Sequence, residues 1–473
     1  MRIFIKNFIP YLIAFIYRAI WILLFPFIYF YFLFRSIKEP GYEKNFLERL
    51  VLYKSQFQNA IWFHAVSLGE LRAARPIFYK LLKNNERLLL TTLTLAGRIA
   101  AQKEFKDQIH KGEVAVFYNP LEFDFLFYKF IRKHNPKFCV ILECDLWPVM
   151  ISSIKRAGVP LVFAQAQYPE RGFKRDRSFP FLKGNLIKEF DFILAKSQKH
   201  LKRFEFFGGK KISIMGDMRF ELDIPKNHLK MADSFKRRFL KNYFTICFAS
   251  IGKKEDKIIV EVMRSILQNS LRSENLRFFF VFVPRHPNDF KNCDRLFKGT
   301  SIRIKKRSEL FEDNLNPAKR LVLDHKIIDF DAIWGDSLGE LNFYMSLSDI
   351  VFMGDSFNEE GSHNIIEPFA LEKPVLVGPS IWGIEYPAME ALEAKILKQV
   401  FSKEELIKEL WNFGEKFKKN DRDLEILSTK LSNFYKLHSG AAKRFYDMLK
   451  NKNLITPDIR PEVKNKIKKK QKM

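Results

Sequence analysis

Short apolar runs punctuate the chain from residue 61 onward, each bounded by turn residues and followed by a longer stretch of mixed polarity. The runs Ile61 to Val66, Leu88 to Thr94, Val114 to Asn119, Phe138 to Asp145, Leu161 to Gln167 and Phe190 to Ala195 have the length and the β-branched or aromatic content of strands. Strands alternating with helix-length segments predict βαβ units on a parallel sheet. A polar segment from Asp223 to Phe239 interrupts the series. It restarts with Phe244 to Ile251, Phe278 to Val283, Arg320 to Leu323, Ile350 to Met353 and Val375 to Val377. A break midway along the chain without strand pattern predicts two doubly wound α/β domains joined near residues 217 to 240 rather than one barrel. After Ser402 the pattern turns helical. The end, Lys464 to Lys472, is a lysine run that predicts a solvated, disordered tail, with anionic lipid as the alternative reading.

Residues 7 to 34 are almost wholly apolar and aromatic, broken by Pro10, Arg18 and Pro26 and flanked by Arg2, Lys6, Arg35 and Lys38. The uncharged part, Ala19 to Phe34, is shorter than the roughly 20 residues of a comfortable span. No small-residue cleavage site follows, which argues against removal as a signal peptide. Arg18 at mid-segment, with cations at both ends, predicts an embedded anchor that need not cross the bilayer, because long cationic side chains reach the headgroups. A buried core helix is the alternative.

Composition narrows this picture only in part. A chain of 473 residues with 47% hydrophobic content fills more than one core. The net charge of +27 suits a membrane surface, an acidic substrate or nucleic acid without choosing among them, and Lys, Ile, Phe and Asn run high throughout, as a biased genome composition would also produce. The four cysteines, at 139, 144, 247 and 293, form no CxxC pair, and no His stands at zinc-ligand spacing. A reducing compartment and no metal or cofactor are expected. The absence of a Walker A loop, of G-x-G-x-x-G after a first strand and of G-x-S-x-G argues against a P-loop ATPase, a dinucleotide oxidoreductase and a serine hydrolase.

Chemistry in open α/β sheets gathers at the carboxyl ends of the strands. His64-Ala-Val-Ser67-Leu-Gly69-Glu70 leaves the first predicted strand and opens a helix. Two readings are open there: Glu70 as a base for an acceptor hydroxyl, or Ser67 and Glu70 as an S-x-x-E capping box. Glu143-Cys-Asp145-Leu-Trp147-Pro148 sets two acids at another strand end, for acid-base work or for simple alternation of buried and exposed positions. In the second half, the loop Gly354 to Glu367, with Gly361, Ser362, Asn364 and Glu367, could cradle a phosphate or merely cap a helix. Val283-Pro-Arg285-His286-Pro287 places a fixed cation beside an imidazole at a strand end, suited to a leaving phosphate or else a surface arginine in a proline turn.

At these junctions the sequence resembles the 3-deoxy-D-manno-octulosonic acid (Kdo) transferases. The blocks are His64 to Glu70 with Ala73 and Ala74, Thr91 to Thr94 with Gly97, Glu143 to Pro148, Gly216 to Phe220, Val283 to Pro287, Gly339 to Leu341 and Gly361 to Glu367, in order from about residue 40 to about 400. The resemblance implies a GT-B glycosyltransferase, two Rossmann-like domains facing a cleft behind an N-terminal membrane anchor helix. It implies an anchor at 1–38, an acceptor-binding domain at 39–222, a nucleotide-sugar domain at 223–450 and a basic tail at 451–473. It implies Glu70 as general base, with Arg285, His286, Gly361, Ser362, Asn364 and Glu367 around the CMP-activated sugar, and Ser67, Gly69, Glu143 and Arg171 in acceptor or structural roles. The implied partners are CMP-Kdo, a lipid A precursor and the anionic inner membrane at its cytoplasmic face, with no nucleic acid. The chain departs from the family pattern at Ala249 to Glu255, at Gln165 to Gly172, where Arg171 keeps a cation, and at Ser362. A GT-B enzyme using a UDP-sugar and another lipid acceptor is the second reading. A non-catalytic, membrane-tethered binder of anionic lipid is the third.

Overall fold

The apolar runs of the first half become parallel strands in the computed structural model, which describes residues 2–38, 46–143, 145–221, 223–270, 276–318 and 328–455. The run predicted as a strand at Arg320 to Leu323, Cys144 and the lysine tail lie outside the described residues. The first sheet comprises β1 (Ile61–His64), β2 (Leu88–Thr92), β3 (Val114–Tyr118), β4 (Phe138–Leu142), β5 (Leu161–Ala166), β6 (Phe192–Ala195) and β7 (Ile212–Ile214), in the order β3-β2-β1-β4-β5-β6-β7. All residues of β1, β2, β4 and β5 are buried, as expected of strands covered on both faces.

The second sheet comprises β8 (Tyr243–Ile251), β9 (Arg277–Pro284), β10 (Ile304–Lys306), β11 (Ala332–Trp334), β12 (Ile350–Met353), β13 (Val375–Val377) and β14 (Leu397–Gln399). Its order is β10-β11-β9-β8-β12-β13-β14, again all parallel. The helical stretch after Ser402 resolves into Lys403–Lys418, Arg422–His438 and Ala441–Asn451.

The chain divides into two units, Met1–Glu221 with Gly440–Met473, and Leu222–Ser439. The second unit therefore stops short of the expected boundary at 450, because helix Ala441–Asn451 returns to the first. Its Ala441, Ala442, Phe445, Tyr446 and Leu449 join the core under β1 and helix Leu68–Lys83, with Phe445 edge-on to Phe63 at 6.4 Å. The Ala442 N–H donates to Glu221 at 2.7 Å and Arg444 Nε to the Met215 carbonyl at 2.6 Å, which fixes the returning segment.

The N-terminal helix spans Arg2–Lys38, and its stretch Leu12–Ile37 is long and apolar enough to cross a membrane. One stripe, Tyr17, Trp21, Phe25, Ile28 and Phe32, packs on the first unit at helical spacing. The opposite stripe is bare: Phe15, Leu23 and Phe34 are 70, 72 and 69% exposed, so this is no buried core helix. Arg18 does not extend along the helix toward headgroups as expected. Its guanidinium grips Asp124 of the first unit at 2.7 and 3.2 Å.

Candidate active site

In a doubly wound sheet the loops leaving the strands at the point of reversal diverge to opposite faces and open a crevice. In the first unit that point lies between β1 and β4. It brings together the segment after His64 and the segment after Leu142. Ser67, extended at φ −125° and ψ 165°, caps helix Leu68–Lys83, its Oγ accepting from the Glu70 N–H at 3.4 Å. Glu70 folds back so that Oε2 accepts from the Val66 N–H at 2.6 Å, one residue beyond the usual capping box. The capping geometry is real, yet it does not tame the carboxyl. Burial, then the charges of Asp145 and Glu143, push the Glu70 pKa up to about 8, while burial and Glu143 push Asp145 up to about 6. Carboxyls that titrate near neutrality are suited to exchange protons with a substrate. His64 is a contrast: fully buried, with Nδ1 3.0 Å from Thr91 Oγ1, it is held neutral by burial, its pKa drawn down to about 3.

Among the described residues, cations grip Glu143 and neither of the other two acids. Buried Lys196 bridges Glu143 and Asp217, each at 3.2 Å, and Arg219 approaches Asp217 at 2.8 Å and Glu143 at 3.7 Å. Gln167 Nε2 donates to Glu143 Oε2 at 3.1 Å. Against the upward pull of burial, Arg219 and Lys196 hold the Asp217 carboxyl well below the usual range. Backbone strain gathers at the same edge. Glu143 sits at φ +61° and Gln165 at φ +53°, the latter where the β5–β6 register shifts.

In the second unit the reversal lies between β8 and β12. Glu255 laces the two loops together, its carboxylate accepting from the N–H groups of Gly252 at 3.3 Å, Ser356 at 3.2 Å and Phe357 at 3.1 Å, and from that of Asp355. Gly354 is required by the close approach, since a Cβ there would lie 2.5 Å from the Ser250 carbonyl oxygen. Asp355, at φ +52°, accepts from His363 Nε2 at 2.7 Å and from Asn358 at 2.9 Å, with Arg285 Nε 3.9 Å away. Burial, then Arg285, pulls the His363 pKa down. Ser362, at φ +66°, donates its N–H to the Asp355 carbonyl at 2.8 Å and keeps a buried hydroxyl without a hydrogen-bond partner. Asn364 caps Ile366 at 3.1 Å and donates to Glu367 at 3.2 Å, but the helix they open, Ile366–Ala370, has five residues and little macrodipole to offer an anion. Among the described residues no group of three or more His, Cys, Asp and Glu side chains could hold a metal ion.

A family model described as 3-deoxy-D-manno-octulosonic-acid transferase matches residues 44–222. The chain is 28% identical over 373 residues to the 3-deoxy-D-manno-octulosonic acid transferase of Haemophilus influenzae, covering 77% of this chain and 82% of that protein. The transferase of the same name from Bordetella pertussis is 25% identical over 334 residues, covering 71 and 74%. The chain is thus similar to the Kdo transferases over most of its length. It is accordingly a glycosyltransferase. Anabaena HepE in complex with UDP shares the fold at TM-score 0.52 and 14% identity, over 83% of this chain and 100% of that one. The UDP-GlcNAc 2-epimerase of Neisseria meningitidis does so at TM-score 0.51 and 14% identity, over 82 and 99%. These likenesses assign the GT-B fold.

Of the residues the Kdo transferase resemblance singles out, Ser67, Gly69, Glu70 and Glu143 fall at the first unit's point of reversal. Arg285 and Ser362 meet around Asp355, with Gly361 and Asn364 on the same loop and Glu367 in the first turn of the helix that follows. Gly361 takes φ +92°, and a Cβ there would lie 2.7 Å from the Gly383 nitrogen. His286 is exposed where the turn Pro287–Asn292 begins. Arg171 is exposed on helix Glu170–Asp176, and the cations on Glu143 are Lys196 and Arg219. Sequence reasoning passed over Lys196, Asp217, Glu255 and Asp355 as site residues. A lysine directly after the apolar strand β6 was the available signal for the first.

Proposed function

We propose that this glycosyltransferase moves Kdo from CMP-Kdo to a hydroxyl of a lipid A precursor, with inversion at the anomeric carbon and Glu70 as general base. The acceptor hydroxyl gives its proton to the Glu70 carboxylate as its oxygen bonds to the anomeric carbon, and the bond to the phosphate oxygen breaks to release CMP. The observation that carries this reading is the Glu70 carboxyl itself. It stands at a strand-order reversal, beside two further acids, with a proton affinity raised to about 8. A base of that strength is well matched to deprotonating a hydroxyl near neutral pH.

Arg285, whose Nε lies 3.9 Å from Asp355, supplies a cation for the leaving phosphate, and the buried Ser362 hydroxyl is a further donor on that side. Glu367, which accepts from Asn364 at 3.2 Å, would accept from a ribose hydroxyl. The apolar helix Arg2–Lys38 and the +27 charge suit attachment to the anionic cytoplasmic face of the inner membrane, where such an acceptor resides. The test is incubation with CMP-Kdo and a lipid A precursor, read by mass spectrometry of the lipid. A product heavier by one or more Kdo residues is expected, and an unmodified acceptor would overturn the assignment.

A further inference from the structure

Helix Pro148–Arg156 begins directly after the segment Asp145–Trp147, yet what holds its ends lies elsewhere in the chain. Trp147 provides no side-chain cap, and Pro148 has no N–H. The N–H groups of Val149 and Met150 donate instead to Glu122, at 2.9 Å to Oε2 and 3.0 Å to Oε1. Glu122 is only 3% exposed, and its remaining bond comes from the N-terminal helix: the Tyr17 hydroxyl donates to Oε2 at 3.1 Å. At the other end of the same helix Arg156 pairs with Asp124, the carboxylate that Arg18 grips in two bonds. Between the two acids, Phe123 is met edge-on by Trp21 at 6.2 Å and by Phe25 at 5.6 Å. Two adjacent residues of the N-terminal helix thus reach both ends of helix Pro148–Arg156 through Glu122 and Asp124.

A membrane tether needs none of this. Affinity for lipid grows with apolar area and is indifferent to where one hydroxyl points, while a tyrosine hydroxyl and an arginine within an apolar segment carry a desolvation cost. The geometry points to a second role for the N-terminal helix: Tyr17 and Arg18 are positioning residues that fix helix Pro148–Arg156, and through it hold the segment Asp145–Trp147 beside Glu70. The inference rests on the proposed role of Glu70. Loosening the contact leaves the Val149 and Met150 N–H groups to a carboxylate with one fewer anchor, and Asp145 moves relative to Glu70. The effect falls on turnover and not on nucleotide-sugar binding, whose proposed residues belong to the other unit.

The test compares full-length wild type with Tyr17→Phe/Arg18→Gln and, separately, with Glu70→Gln, in vesicles carrying the lipid acceptor. The double variant is expected to stay with the membrane, to melt near wild type and to keep its KM for CMP-Kdo. Its kcat should fall about tenfold or more, since misplacing a group by ~1 Å costs up to ~100-fold. Tyr17→Phe alone, which removes one oxygen, should show part of the same loss. A double-variant kcat within about twofold of wild type overturns the coupling. So does a loss that tracks a lowered melting temperature or release from the vesicles, because the helix would then serve folding or attachment only. Full turnover by Glu70→Gln would instead remove the base, leaving the double variant's kcat to decide the coupling by itself.

Discussion

Glu70 caps a helix and is proposed as the base, and one substitution separates the two duties. Glu70→Gln still accepts from the Val66 N–H, so the variant is expected to melt no lower than wild type and to keep CMP binding near wild type. Turnover is expected to fall about 100-fold to 10,000-fold, because an amide takes no proton. Retention of more than about a tenth of turnover, well above that range, would leave the cap as the whole account. The raised pKa adds a signed expectation. A carboxyl whose value rises from 4.5 unfolded to about 8 folded favours the native state while protonated and penalises it once ionised. Its contribution is therefore present below 4.5 and lost progressively as pH climbs to about 8, whereas kcat climbs over the upper part of that window as the base is freed. Melting curves of wild type and Glu70→Gln across this range should diverge in that sense, and parallel curves would refute it. On the nucleotide side, Arg285→Ala and Glu367→Ala are each expected to weaken CMP binding by about 1.5 to 3 kcal/mol, roughly tenfold to a hundredfold. An unchanged titration of a folded variant removes that residue from the site.

Two elements carry the geometry on which those residues depend. Gly354→Ala would drive a methyl group against the Ser250 carbonyl where β8 and β12 diverge. Overpacking of this kind costs about 1 to 3 kcal/mol, and calorimetry together with CMP titration should register both a lower melting temperature and weaker binding. Helix Ala441–Asn451 backs the Glu70 helix, so Phe445→Ala, at a fully buried position, is expected to cost about 3 to 5 kcal/mol, read from a denaturant melt of the full chain. How much of this was legible in the sequence follows from where each signal resides. Buried parallel strands announce themselves as unbroken apolar runs, so β1 to β6 stood out, as did β8, β9, β12 and β13. Of the five three-residue strands only β13 did; β7, β10, β11 and β14 did not, and Ile304-Lys-Lys306 and Leu397-Lys-Gln399 have no run to read. The cap at Ser67 was legible because its partners are three residues apart. The bridge from Lys196 to Glu143 and Asp217 was not, because its members meet only once β4, β6 and β7 are ordered in the sheet. The helical pattern after Ser402 was equally plain, but nothing local tells which sheet Ala441–Asn451 covers.

For the molecule as a whole, deleting residues 1–35 is expected to release the protein from membranes while CMP binding persists. Retention in the membrane fraction at high salt would place the attachment elsewhere. The return of the final helix has its own consequence. Residues 222–439 form an uninterrupted unit, whereas the first unit is written in two pieces on either side of it. On the ribosome the later-encoded unit therefore has its full core while the earlier one still lacks Phe445, Tyr446 and Leu449. The segment that bears the proposed base is made first and finished last. An unfinished nascent chain thus stays without a complete core in its first unit until residue 449 has been added.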